Sequence, residues 1–247
     1  MLFKKWHPLW LPKGGNTREE YEDAANGDSE RYRFAIADGA SESSYAGPWA
    51  RLLVDGFLQA STPDLLAWIA PLRERWLKDL GEGPFPWYTE TKIDHGAFAT
   101  FLGLTLEKKK RRCKEFVVWN AIAVGDSCIF QVRAGRAIRK FPLQRFEEFD
   151  NSPGLICSRS HPGGSAYSLE RTAQNKVCKP GDKLWLMTDA LAMWFLQKDF
   201  EGMRPWEELE KIVECPEPQT AFETWTEQRR EAFELRNDDV TLLVICF

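Results

Sequence analysis

Short apolar runs, each abutting an aspartate, set the rhythm of this chain. Phe34-Ala35-Ile36-Ala37 ends at Asp38, and the run from Trp119 to Gly125 is followed by Asp126. Leu184-Trp185-Leu186-Met187-Thr188 ends at Asp189, and Asp238-Asp239 opens the run Val240 to Cys246. Runs of this length and composition read as buried strands. Other segments carry helical spacing. Trp49, Leu52, Leu53, Gly56 and Phe57 predict a helix over Pro48 to Ala60. Leu65, Leu66, Trp68, Ile69, Leu72, Trp76 and Leu77 predict an inward face on a second helix over Pro63 to Leu80, whose leading proline suits a first turn.

The remaining elements follow from the same periodicities. Residues 1–30 are polar and read as an opening segment with a first hairpin. Ala97 to Leu106, Glu115 to Val124, Ser127 to Arg133 and Arg136 to Phe141 predict a meander turning at Lys108-Lys109-Lys110, Gly125-Asp126 and Ala134-Gly135. Residues 142–176 read as a long loop, a length more often functional than idle. Lys179-Pro180-Gly181-Asp182 turns into the strand Lys183 to Thr188. Helices follow from Ala190, over Pro205 to Glu214 and over Thr220 to Leu235, and a last strand runs to Phe247. Helix pairs between groups of antiparallel strands predict an α+β fold, with helical layers around packed sheets rather than alternating parallel units. With no repeat or linker, 1–247 reads as one domain.

The aspartates change the picture from architecture to chemistry. Three end a run and one begins a run, so antiparallel pairing can bring all four to one edge of a sheet. Two unit charges about 4 Å apart repel by roughly 4 kcal/mol at an effective dielectric near 20. A fold that gathers such groups needs a proton or a cation, and an oxygen-only cluster favours a hard ion such as Mg2+ or Mn2+.

Composition narrows the alternatives. With 43% hydrophobic and 28% charged residues and a net charge of −4, the chain reads as an ordinary globular protein without a broad basic surface for nucleic acid. Its one basic run, Lys108 to Arg112, reads as a solvated hairpin turn. The six cysteines form no Cys-x-x-Cys pair and the three histidines are far apart, which argues against zinc. Cys128 and Cys246 read as small core residues, and Trp68, Trp76, Trp185 and Trp194 as core aromatics. His161 reads as an exposed polar residue, and Ser41, Ser43 and Ser44 lack the histidine a serine hydrolase needs. No signal-peptide stretch or membrane-spanning run is present, so the expected location is the cytoplasm.

Taken together and in order, several stretches resemble the metal-dependent serine/threonine protein phosphatases, the type 2C or PPM family, in its compact bacterial branch. They are Arg18-Glu19-Glu20-Tyr21-Glu22-Asp23-Ala24, Phe34 to Ser41, Val124-Gly125-Asp126-Ser127, Leu186 to Leu191, and Asp238-Asp239-Val240-Thr241. The resemblance implies a four-layer α-β-β-α sandwich. It implies that Asp38 bridges two Mg2+ or Mn2+ ions with the Gly39 carbonyl as a further ligand, and that Asp189 and Asp238 complete the pair. Glu22 and Asp23 would act through metal-bound water, Asp126 would share a third, weaker site with Asp189, and Arg18 would bind phosphate. The implied reaction is hydrolysis of phosphoserine or phosphothreonine in a phosphorylated protein by direct attack of a metal-activated water.

The chain departs from the family pattern at Ala40, where some members carry a histidine acid, at Cys128, where an arginine often stands, at Ala190, where many have glycine, and at Asp239, where asparagine is usual. Those departures motivate a second expectation, a non-catalytic phosphatase-like signalling or scaffold protein that binds phosphorylated partners. A phosphatase of small phosphoesters is a third, because fold does not fix substrate.

Overall fold

The computed structural model describes residues 2–41, 43, 45–62, 64–81, 93–111, 114–150, 152–159 and 170–247. His161, Pro63 and Ser44, and with them Pro162-Gly163-Gly164, lie outside the described residues. Strand β12 (Val240–Cys246) shows why the sheets must stack: every one of its residues is buried. Its Val240, Leu242 and Val244 point to one apolar cluster, and Leu243 and Ile245 to another. A strand apolar on both faces needs a layer on each side.

One sheet has the order β1-β12-β11-β7-β8, with β1 at Lys5–Leu11, β7 at Cys128–Arg133, β8 at Arg136–Phe141 and β11 at Lys183–Met187. The other has the order β10-β6-β5-β3-β2, with β2 at Ala24–Asp28, β3 at Arg33–Ala37, β5 at Phe101–Arg111, β6 at Lys114–Val124 and β10 at Arg171–Cys178. Their strands pair antiparallel throughout. A two-residue pair, β4 (Phe98–Ala99) with β9 (Ile156–Cys157), sits beside them. Phe34, Ile36, Leu102, Leu104 and Trp119 of one sheet meet Ile129, Leu184, Leu186, Leu243 and Ile245 of the other.

Helices α1 (Ala46–Gln59) and α2 (Leu65–Asp79) cover the outer face of the second sheet. There Ala35 and Ala37 of β3 are small, which lets α1 pack close to the strand. Helices α3 (Asp189–Phe200), α4 (Pro205–Glu214) and α5 (Pro218–Glu231) cover the first sheet through Trp194, Phe195, Trp206, Leu209 and Phe222. The order is α-β-β-α, as the resemblance implied. No described helix is long and apolar enough to cross a membrane.

Local readings differ from the structure in several places. The expected meander is broken: β5 and β6 pair in one sheet, but β7 belongs to the other, so Gly125-Asp126 crosses between sheets rather than closing a hairpin. Lys108 to Arg111 continue β5 and pair with β6 up to Lys114, so this basic run is strand, not turn. The single strand expected from Ala97 is divided at Thr100 into β4 and β5. Residues 142–176 contain β9 and the start of β10; the latter reads as loop because most of its residues are polar and exposed, as suits an edge strand. The opening segment supplies β1 to one sheet and β2 to the other. On α2, Leu66 and Leu77 face solvent, while Trp68, Ile69 and Trp76 are buried.

Candidate metal centre

All the singled-out acids lie at one end of the sandwich, and the antiparallel registers explain why. Met187 pairs with Leu242, which sets the end of β11 beside the start of β12, and thus Asp189 beside Asp238. Ala37 pairs with Ala24, which sets Asp38 beside Asp23. Ile36 pairs with Leu102 and Phe101 with Val124, which brings the end of β6, and so Asp126, to the same end. The carboxylates therefore come from two stacked sheets, not from the edge of one sheet as expected.

Close backbone approach fixes the loops that carry them. A Cβ on Gly39 would lie 2.7 Å from the Glu22 carbonyl and 3.0 Å from Ala46, so only glycine lets these segments touch. Gly125 has φ +97°, and a Cβ there would meet Thr100 at 2.7 Å. The Thr100 amide donates to the Asp38 carbonyl at 2.8 Å, tying the strand ends together.

Two threonines orient Asp23. Thr241 Oγ1 donates to Asp23 Oδ2 at 2.6 Å and accepts in turn from the Tyr21 hydroxyl, while the Thr241 amide donates to Thr188 Oγ1 at 3.0 Å. Asp23 is 1% exposed, and its Oδ1 has no hydrogen-bond partner. Asp126 Oδ1 is likewise buried and unpartnered. Asp239 is braced on both oxygens: Oδ1 accepts from the Lys13 amide at 2.7 Å and Oδ2 from the Glu22 amide at 2.6 Å.

Burial and mutual repulsion push these carboxyls upward. Burial raises Asp38 well above the usual carboxylate range, and Asp23, Asp189, Asp126 and Asp238 add to it. Asp23 is raised by burial against the pull of Thr241, and Glu22 by burial against a hydrogen bond with Ser41. Asp126 is pushed up to about 7, by burial first and Asp189 second. Burial also raises Asp189, opposed by Arg236, whose Nη2 donates to Asp189 Oδ2 and lies 3.2 Å from Asp238 Oδ2.

The donor chemistry fits hard divalent ions: the gathered atoms are oxygens, two of them buried without a partner, and negative charge is in excess. Among the described residues, no group of three or more His, Cys, Asp or Glu side chains is drawn into a closed ligand cluster. Arg236 instead lies between Asp189 and Asp238.

Arg18 has other partners than the aspartates. It pairs with Glu223 on α5 at 2.8 Å and lies over the Trp10 ring, 5.4 Å from its centre. A cleft of about 360 Å³ beside Glu22 is lined instead by the cations Lys13 and Arg51, with Ser41 and Tyr45. Two departures from the family pattern prove to be matters of packing. Cys128 is fully buried, its thiol donates to the Asp126 carbonyl at 3.1 Å, and burial raises its pKa, so there is no room for an arginine. Ala190 contributes its backbone amide, which donates to Asp189 Oδ1 at 2.5 Å, a bond that any residue but proline there could supply. Thr188, Thr241, Asp239 and Arg236 took no part in the expected site. Arg236, two positions before Asp238, is the one a search for charge next to the acids could have found.

No protein-family model matches the sequence, and no curated protein matches it. Solved structures do. The photosystem II phosphatase PBCP is 17% identical, with 98% of each chain covered and a TM-score of 0.56. The Mycobacterium tuberculosis serine/threonine phosphatase PstP is 14% identical over 98% of each chain, with a TM-score of 0.55. The PstP catalytic domain in complex with two manganese ions is 15% identical, again over 98% of each chain, with a TM-score of 0.53. PppA, a regulatory component of the Pseudomonas aeruginosa type VI secretion system, is 17% identical, covering 99% of this chain and 98% of its own, with a TM-score of 0.53. Two antiparallel sheets between helical layers, with acids from both sheets gathered at one end, give this chain the fold of the PPM, or type 2C, protein phosphatases.

Proposed function

We propose that residues 1–247 form one catalytic domain, a divalent-metal-dependent phosphatase that hydrolyses phosphoserine and phosphothreonine in a phosphorylated protein by direct attack of water. One observation carries this reading: Asp23, Asp38, Asp126, Asp189 and Asp238 face one another at one end of the sandwich, five carboxylates of which Arg236 pairs with only two. Asp38, the Gly39 carbonyl, Asp189 and Asp238 would hold two Mg2+ or Mn2+ ions. Glu22 and Asp23 would act through their waters, and Asp126 with Asp189 would hold a third ion. Such ions, when bound, lower the pKa of water and screen the phosphoryl oxygens.

The chain's own contribution is placement. Thr188 and Thr241 hold Asp23, and Asp239 fixes the backbone at Glu22. Gly39 lets the Glu22 carbonyl come close. Arg18 would grip substrate phosphate with its planar fork after leaving Glu223.

Phosphate release from a phosphoserine peptide tests the proposal. The expected result is turnover that depends on added Mn2+ or Mg2+ and disappears in Asp38→Ala. Metal-independent turnover, or full activity in that variant, overturns it. The second reading, a non-catalytic binder of phosphorylated partners, is favoured by one observation: Arg236 spans two of the acids that catalysis would assign to metal. Peptide binding without turnover at saturating Mn2+ would select it.

A further inference from the structure

The cation nearest the acids is built into the chain. Arg236 lies between α5 and β12, and its Nη2 donates to Asp189 Oδ2 and Asp238 Oδ2. The other oxygens of these two acids are already engaged. Asp189 Oδ1 accepts from the Ala190 amide at 2.5 Å, and Asp238 Oδ1 from the Asp239 amide at 3.1 Å. The guanidinium thus sits on Oδ2 of both Asp189 and Asp238, oxygens a hard ion would need. An oxygen in contact with a divalent ion cannot also hold a guanidinium in the same direction, and the two cations repel at that distance. The Arg236 side chain is 41% exposed, so it can swing into solvent without disturbing the core. Its backbone stays anchored, because the Asp238 amide donates to the Arg236 carbonyl at 3.0 Å.

We propose that Arg236 is a tethered counter-cation that competes with a divalent ion for Asp189 and Asp238 and thereby sets the metal affinity of the site. The proposal rests on the reading of these acids as metal ligands. It makes metal binding an exchange of one cation for another. In the absence of divalent ions the guanidinium limits repulsion between the acids, and on loading it is released into the mouth of the site. Removing it strengthens metal binding while weakening the chelated protein, a pair of opposed effects that loss of a merely structural arginine would not give.

The test is calorimetric titration of the EDTA-dialysed full chain with MnCl2 alone, for the wild type, Arg236→Met, Arg236→Lys and Asp38→Ala. Arg236→Met is expected to bind Mn2+ about tenfold more tightly than the wild type, equivalent to ~1.4 kcal/mol, with Arg236→Lys in between. Equal or weaker binding by Arg236→Met, with binding lost in Asp38→Ala, overturns the competition and leaves the metal site standing. Binding by Arg236→Met where the wild type binds nothing is the proposal in its strongest form. Absence of binding in the wild type and in Arg236→Met alike overturns both the proposal and the metal reading. Should Arg236→Met fail to fold, a Mg2+ titration of the wild type followed on the Arg236 guanidinium NMR signal decides instead. The signal must move as Mg2+ saturates the protein, and an unmoved signal overturns the proposal.

Discussion

Asp239→Asn brings the chain nearer to the family pattern it resembles and, on this geometry, makes it less stable. The Asp239 carboxylate is 8% exposed and accepts a backbone N–H on each oxygen, from Lys13 at 2.7 Å and from Glu22 at 2.6 Å. Asparagine keeps one acceptor and turns an NH2 toward the other amide. A hydrogen bond to a charged group contributes about 1.5–3 kcal/mol, and an unsatisfied buried donor costs about 1–3 kcal/mol. Against this stands relief of repulsion, because Asp239 raises the carboxyls of Glu22 and Asp23. That relief is small because burial, rather than Asp239, is the main cause of both upward shifts, and Glu22 is half-buried and screened by solvent. The bond loss therefore prevails, with a net cost of about 2 kcal/mol, or roughly 5 °C in Tm for a domain of this size. Urea unfolding of both proteins in EDTA, at one pH and salt concentration, measures the difference. An unchanged or raised midpoint in Asp239→Asn would refute the brace and with it the account of how the segment from Lys13 to Glu22 is held.

Other expectations follow from the same network. Thr241→Val keeps shape and strand propensity but removes the donor to Asp23 Oδ2 and the acceptor for Tyr21. It should cost about 2–3 kcal/mol in thermal or urea unfolding, and Thr241→Ser should recover most of it. Asp126 gives a pH dependence whose sign is fixed by its folded pKa of about 7 against an ordinary value of 3.8. Between those values the folded chain holds a proton that the unfolded chain has lost, so stability in EDTA should fall as pH rises from 4 to 7, by roughly 4 kcal/mol at most. Asp126→Asn should flatten that slope in a Tm series, and an equal slope in both proteins would exclude Asp126 as its source.

Legibility in the sequence followed the locality of the signal. Pro205 to Glu214 is legible as the helix the structure contains, because a proline at its first position and a strong apolar face are local features. Asp38 and Asp189 stood out because strand composition stops abruptly beside them. β10 is not legible because, at an edge, Arg171, Thr172, Gln174 and Asn175 face solvent and the strand carries no apolar run. The crossing at Gly125-Asp126 reads as a hairpin because a short link with glycine and aspartate between apolar strands has the same local chemistry whether it closes a hairpin or passes to another sheet.

The sequence by itself determined most of the strands and helices, though not the polar edge strand β10, and which acids end them, since periodicity and turn chemistry act over a few residues. Tertiary structure alone decided that these acids come from two stacked sheets, that Asp239 serves as a brace for Lys13 and Glu22, and that Arg236 stands between Asp189 and Asp238. Those are outcomes of packing between separate segments, more than 200 residues apart for the Asp239 brace and 47 for Arg236 with Asp189. A side chain's charge can be read from the chain, but the partner that neutralises it is chosen only when burial removes the water that would otherwise do so.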